Sequence, residues 1–191
     1  MSSVKNSLVL MLWRINWQKN GEIPANRWNQ CYQPSGMCVP PIMKTRLNLF
    51  IGTSVVFSAI LSETGGARQL FRLGELGVVQ LLVGPNVLRE CEDVVRRKVP
   101  QTLPLLAVLL ESCGLQQTMA PRKVDCDLAE SLVDYPPDAL VLAEAISAQP
   151  DWFVTHDKVH FLKTGFGIEL PFQIGTPGAV LQFLDSYLTQ I

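Results

Sequence analysis

Three carboxylates are placed by this sequence where they could act together. Glu90 lies about one and a half turns into a helix opened by Pro85. Asp138 falls in the first turn of "PPDALVLAEA", and Asp157 follows directly on the apolar run "WFVT". Hydroxyls from Thr53, Ser54 and Thr155 occupy the same chain junctions. Hard oxygen donors of this kind, with neither Cys nor His among them, suit magnesium or manganese.

Each of these residues taken alone has a plainer reading. Asp138 and Asp157 make good helix caps or first-turn acids, worth about 1 kcal/mol each with no ligand present. Glu90 alone reads as an exposed acid pairing with Arg89, Arg96 or Arg97, and His156 and His160 as surface or packing histidines. "RRK" at 96–98 reads as a solvated helix end favoured by the dipole, with phosphate contact as the alternative. Only joint placement lifts the three acids above these readings.

That placement depends on the elements around them. "LNLFI" (47–51) is a continuous apolar run with one polar break, as expected of a strand covered on both faces. It enters a helix through Gly52, Thr53 and Ser54. A second helix follows over "ARQLFRLGELG", closed by Gly77, then a buried strand "VVQLLVG" (78–84) and the helix "PNVLRECEDVVRRK". "LPLLAVLLESCG" (103–114) forms an apolar helix ending at Gly114, followed by a polar connection, a short helix "DLAESLV" and the longer "PPDALVLAEAISA". "DWFVTHD" (151–157) is a third strand, "DKVHFLK" a helical turn or two, and "LPFQIGTPGAVLQFLDSYL" a last strand and closing helix. Alternation of this kind implies an α/β fold with a mainly parallel sheet sandwiched between helices. In such sheets ligands bind beyond the carboxyl ends of the strands, the edge to which all three acids are delivered.

The chain of 191 residues is 48% hydrophobic and 17% charged, enough to bury roughly 70% of its unfolded surface in one core. A net charge of -1 offers no bulk field to draw in nucleic acid, so such binding requires a local patch. Cys31, Cys38, Cys91, Cys113 and Cys126 are an odd number without a C-x-x-C pair, which reads against zinc and against a disulfide framework and for the reducing cytoplasm. Residues 1–42 hold Trp13, Trp17 and Trp28 and sustain no period; they read as an N-terminal extension, with Met43 as a natural beginning for the domain 43–191. The early run "SLVLMLW" is too short to span a membrane and lacks a cleavage site.

Taken together, "LFIGTSVVFSAIL", "LLVGPNVLRECEDVVRRK", "DYPPDALVLAEA", "WFVTHDKVHFL" and "LPFQIGTPGAVLQFL" resemble the PIN-domain (PilT N-terminus-like) family over about residues 46–189. The resemblance implies a three-layer α/β/α sandwich and a cluster of acids holding Mg2+ or Mn2+ to cut single-stranded RNA. It further implies the toxin role in a toxin–antitoxin pair, an antitoxin protein as partner, and pairing as a homodimer, for which the apolar helix over 103–113 offers a face. Glu90, Asp138 and Asp157 match three of the family's acids, and Thr155 matches the hydroxyl residue before the last. If active, the protein would be a phosphodiester hydrolase, in which the ion lowers the pKa of a bound water and polarises the phosphate while Thr53 and Thr155 orient its surroundings. Arg68, Arg72, Arg96, Arg97 and Lys98 are then candidates for the RNA backbone.

One position departs from the pattern. After the first strand the family carries Asp, then Thr or Ser, then usually Asn, whereas this chain carries Gly52, Thr53 and Ser54. Asn48 cannot compensate, being about 13 Å away along the strand. Even an outer partner of a metal ligand is worth about 10 to 100-fold in affinity or activity, so a missing carboxylate implies an enfeebled or inactive nuclease. The alternative is a catalytically inactive module that keeps the fold to bind RNA or a protein. A doubly wound phosphatase or receiver domain would need a nucleophilic Asp at position 52, and Gly52 argues against it.

Overall fold

The computed structural model describes residues 46–157, 161 and 170–189. The chain divides into two units, residues 46–184 and residues 1–45 with 185–191, and the sheet and the candidate site belong to the first. The elements run β1 (Leu47–Ile51), α1 (Thr53–Leu61), α2 (Gly66–Glu75), β2 (Val79–Val83), α3 (Pro85–Lys98), a 3-10 turn (Pro100–Thr102) and α4 (Leu103–Ser112). They continue with β3 (Gln116–Gln117), α5 (Lys123–Leu132), α6 (Pro136–Ala148), β4 (Trp152–Val154), β5 (Gln173–Gly175) and α7 (Pro177–Thr189). The expected turn over "DKVHFLK" lies largely outside the described residues.

The five strands form one sheet in the order β3-β2-β1-β4-β5, and every described pairing is parallel. The fold is an α/β/α sandwich of PIN-like form. Parallel strands need crossovers, and the helices that supply them cover the sheet. Hence β1 is apolar on both sides, with Leu49, Phe50 and Ile51 fully buried. Each such side chain contributes about 1.5 to 3 kcal/mol relative to exposure. Phe153 of β4 continues this core edge-to-face between Phe50, at 5.7 Å, and Phe161, at 5.0 Å.

Helix ends follow simple chemistry. Pro85, Pro136 and Pro177 each stand in a first turn, where no amide donor is missed. Gly77 and Gly114, the expected stops, adopt left-handed φ values of 70° and 62°. The polar connection after Gly114 contains a short strand that its composition does not announce: Gln116 and Gln117 pair with Leu82 and Val83. α5 begins at Lys123, earlier than "DLAESLV" suggests, because Arg122 clasps Asp125 through two bonds of 2.8 and 2.9 Å. That pairing holds the Asp125 carboxyl below its ordinary range.

The chain steps outward from β1 to β2 and β3, then returns to lay β4 on the other side of β1. This reversal makes the carboxyl ends of β1 and β4 the switch point of the sheet, the edge where open α/β sheets take ligands.

Candidate active site

At that edge Gly52 follows β1 with extended backbone (φ -77°, ψ 160°) and donates its amide to the Val154 carbonyl at 2.9 Å. A Cβ added at Gly52 would stand 3.3 Å from both the Phe153 ring and the Val154 oxygen, and 3.7 Å from Thr155 Cβ. The corner is snug, and the Phe153 ring and the Val154 carbonyl would each have to give by a few tenths of an ångström to admit a Cβ.

The next two residues cross-link the edge. Thr53 donates its hydroxyl to Glu90 Oε2 at 2.6 Å, joining the start of α1 to the second turn of α3. Ser54 Oγ accepts the His156 amide at 3.0 Å and lies 3.4 Å from Thr155 Oγ1. Thr155, 3% exposed, in turn accepts the Asp157 amide at 3.0 Å. Thus two hydrogen-bonded links lie beside Gly52, one from Thr53 to Glu90 and one from Ser54 through Thr155 to the Asp157 backbone amide. Two of the arginines that Glu90 could have paired with bond elsewhere, Arg96 to Glu92 and Arg89 to Asn86.

Asp138 is half-buried in the first turn of α6. Because α6 leads into the amino end of a strand parallel to β1, it runs against the sheet direction, and its first turn lies toward the carboxyl edge. Among the described residues, however, no three His, Cys, Asp or Glu side chains are grouped as a metal cluster. The donors are of the right chemical kind for a hard divalent ion, but their present arrangement does not fit one.

The basic candidates are dispersed. Arg68 lies 3.7 Å from Glu75, and Lys98 Nζ sits 5.6 Å above the Phe57 ring. Arg96, Arg97 and Lys98 form the last turn of α3, the end remote from Gly84 and that sheet edge, while Arg72 is exposed on α2.

A fourth acid has no counterpart among the sequence candidates. Glu144 of α6 is 0% exposed, yet it is fully hydrogen-bonded. Its Oε1 accepts the Asn86 backbone amide at 2.7 Å and the Asn86 side-chain amide at 2.8 Å, and its Oε2 accepts the Val87 amide at 3.4 Å. Gly84, the N-cap of α3, supplies no side-chain cap of its own, so Glu144 serves that end from another helix. Burial pushes the Glu144 carboxyl above its ordinary value, against the bonds from Asn86 and Val87 that favour its charged form. The signal available in sequence is a single carboxylate inside the apolar run "ALVLAEAIS".

No helix among the described residues is long and apolar enough to cross a membrane. Comparison with curated proteins gave no match. Among solved structures, the fold is similar to a chain in the crystal structure of VapBC2 from Rickettsia felis, bound there to a DNA fragment from its promoter. The TM-score is 0.51 at 16% identity, covering 68% of this chain and 98% of that one. A family profile described as PIN domain matches residues 48–159, more than half of the chain and the stretch that holds Gly52, Glu90, Asp138 and Asp157. The chain therefore belongs to the PIN-domain family.

Proposed function

We propose that this chain is a PIN-type endoribonuclease with a weakened divalent-metal site, the toxin half of a toxin–antitoxin pair that cuts single-stranded RNA. The observation that carries this reading is the pair of hydrogen-bonded links beside Gly52, in which Thr53 orients Glu90 and Thr155 holds the backbone at Asp157. Glu90, Asp138 and Asp157 are the acids assigned to Mg2+ or Mn2+. Arg68, Arg72, Arg96, Arg97 and Lys98 are assigned to phosphates along a longer RNA path, a contact that weakens with salt. The fold likeness to a VapBC2 chain supports an antitoxin protein as partner. Exposed Leu105 and Val108 on α4 support a homodimer through that helix. Among the described residues Cys91 and Cys113 are buried as free thiols, which supports a cytoplasmic setting.

The second reading, a non-catalytic module that binds RNA or a protein partner, is favoured by the lack of a three-acid metal cluster among the described residues. Thermal denaturation against increasing Mn2+ or Mg2+ separates the two. For the nuclease the midpoint rises and saturates, as for any ligand that binds only the folded state, and Glu90→Gln abolishes the rise. A flat response with RNA binding retained would replace the nuclease by the module.

A further inference from the structure

We propose that Glu144 is a positioning residue for Glu90, acting through Asn86 and the first turn of α3; the role at the site rests on the nuclease reading above, while the positioning itself does not. Asn86 and Glu90 are four residues apart on one helix and therefore share a face. Asn86 is held on both sides, its Nδ2 and backbone amide by Glu144 and its Oδ1 by Arg89 at 2.7 Å. The buried stripe Val87, Cys91 and Val95 sets which face of α3 meets the core, and the grip on Asn86 holds its first turn in place, so the carboxylate one turn further on is presented at a set angle. That angle is the one at which Glu90 meets the Thr53 hydroxyl at 2.6 Å.

Two features show that the contact is built for closeness. A Cβ at Gly84 would fall 1.9 Å from Glu144 Oε2 and 2.2 Å from its Cδ, so only glycine leaves room for the carboxylate at the helix end. Glu144 is also wholly buried with all its bonding directed at α3, an expensive place for an acid that merely filled space. Asn86 and Val87 lie 58 and 57 residues from Glu144 in sequence, so the contact docks α6 against α3 rather than stabilising either helix locally.

The test is the side-chain carboxyl 13C resonance of Glu90 in the full-length protein, assigned with Glu90→Gln and referenced to Thr53→Val, which removes the hydroxyl donor. We expect Glu144→Ala to move this resonance to the Thr53→Val position. Glu144→Gln, which keeps an oxygen for Asn86, should leave it near the wild-type position. Asn86→Ala, removing only the side-chain half of the grip, should give a smaller shift in the same direction, and it decides the matter if Glu144→Ala does not fold. An unmoved Glu90 resonance in folded Glu144→Ala, or in Asn86→Ala where the former does not fold, would overturn the positioning role. In a Gly52→Asp background, Glu144→Ala should lower kcat for a single-stranded RNA about tenfold with KM little changed, as for an outer partner of a ligand. Absence of cleavage in Gly52→Asp itself, with the resonance shifting as described, would overturn the nuclease reading and leave the positioning role standing.

Discussion

The Gly52 amide reaches the Val154 carbonyl at 2.9 Å, and this bond fastens the end of β1 to the end of β4 where the sheet reverses its direction of winding. The hydroxyls and acids of the candidate site are arranged around that fastening. It also explains why a residue without a side chain serves at position 52 of this fold. The backbone of Gly52 is ordinary extended chain, and its hydrogen bond needs no side chain.

Gly52 and Gly84, both helix N-caps at the same sheet edge, should respond very differently to alanine. At Gly52 the nearest atoms would lie 3.3 Å from an added Cβ, and we expect Gly52→Ala to change stability by less than about 1 kcal/mol. At Gly84 the Glu144 carboxylate stands 1.9 Å from the same atom, and we expect Gly84→Ala to cost about 3 kcal/mol, the upper range for overpacking. Urea denaturation of the two variants checks the contrast.

Glu144 gives a pH dependence of definite sign. Its folded value is raised above the ordinary 4.5, so its contribution to stability is full below that value and is lost as pH rises through the folded one. Glu144→Gln cannot titrate. The stability difference between variant and wild type should therefore shift in the variant's favour as pH climbs from about 4 to 8, and a constant difference would contradict the raised value. Asp125, held low by Arg122, has the opposite sign and cancels in the comparison.

Cys91 should be inert in the native protein. Burial pushes its thiol up to about 12, with the neighbouring Glu90 charge adding to the effect. Peptide mapping after iodoacetamide treatment at about pH 8 should find Cys91 unlabelled until denaturant is added, with half-buried Cys126 labelled sooner.

Much of this architecture is legible in the sequence because burial on both faces leaves a simple trace. "LNLFI", "VVQLLVG" and "WFVT" are apolar without alternation, and each is a strand or contains one. Gly77 and Gly114 mark helix ends because left-handed φ excludes most other residues. β3 leaves no trace, since both its glutamines are exposed and its pairing uses only backbone groups. Gly52 is legible as a departure from a known pattern, and Thr53 and Glu90 are both placed at the carboxyl edge by their junctions, but the bond between them is visible only in the structure. Glu144 is not, because its partners Asn86 and Val87 lie in another helix and nothing local distinguishes a helix-capping carboxylate from a misplaced one.

The most direct measurement is the rate of Mn2+-dependent cleavage of a single-stranded RNA by the full-length protein and by Gly52→Asp. We expect the added carboxylate to raise the rate at least about tenfold, in line with the worth of groups around a bound metal, and Glu90→Gln to remove the gain. Equal rates for wild type and a folded Gly52→Asp would contradict the central claim that position 52 is where this nuclease was weakened.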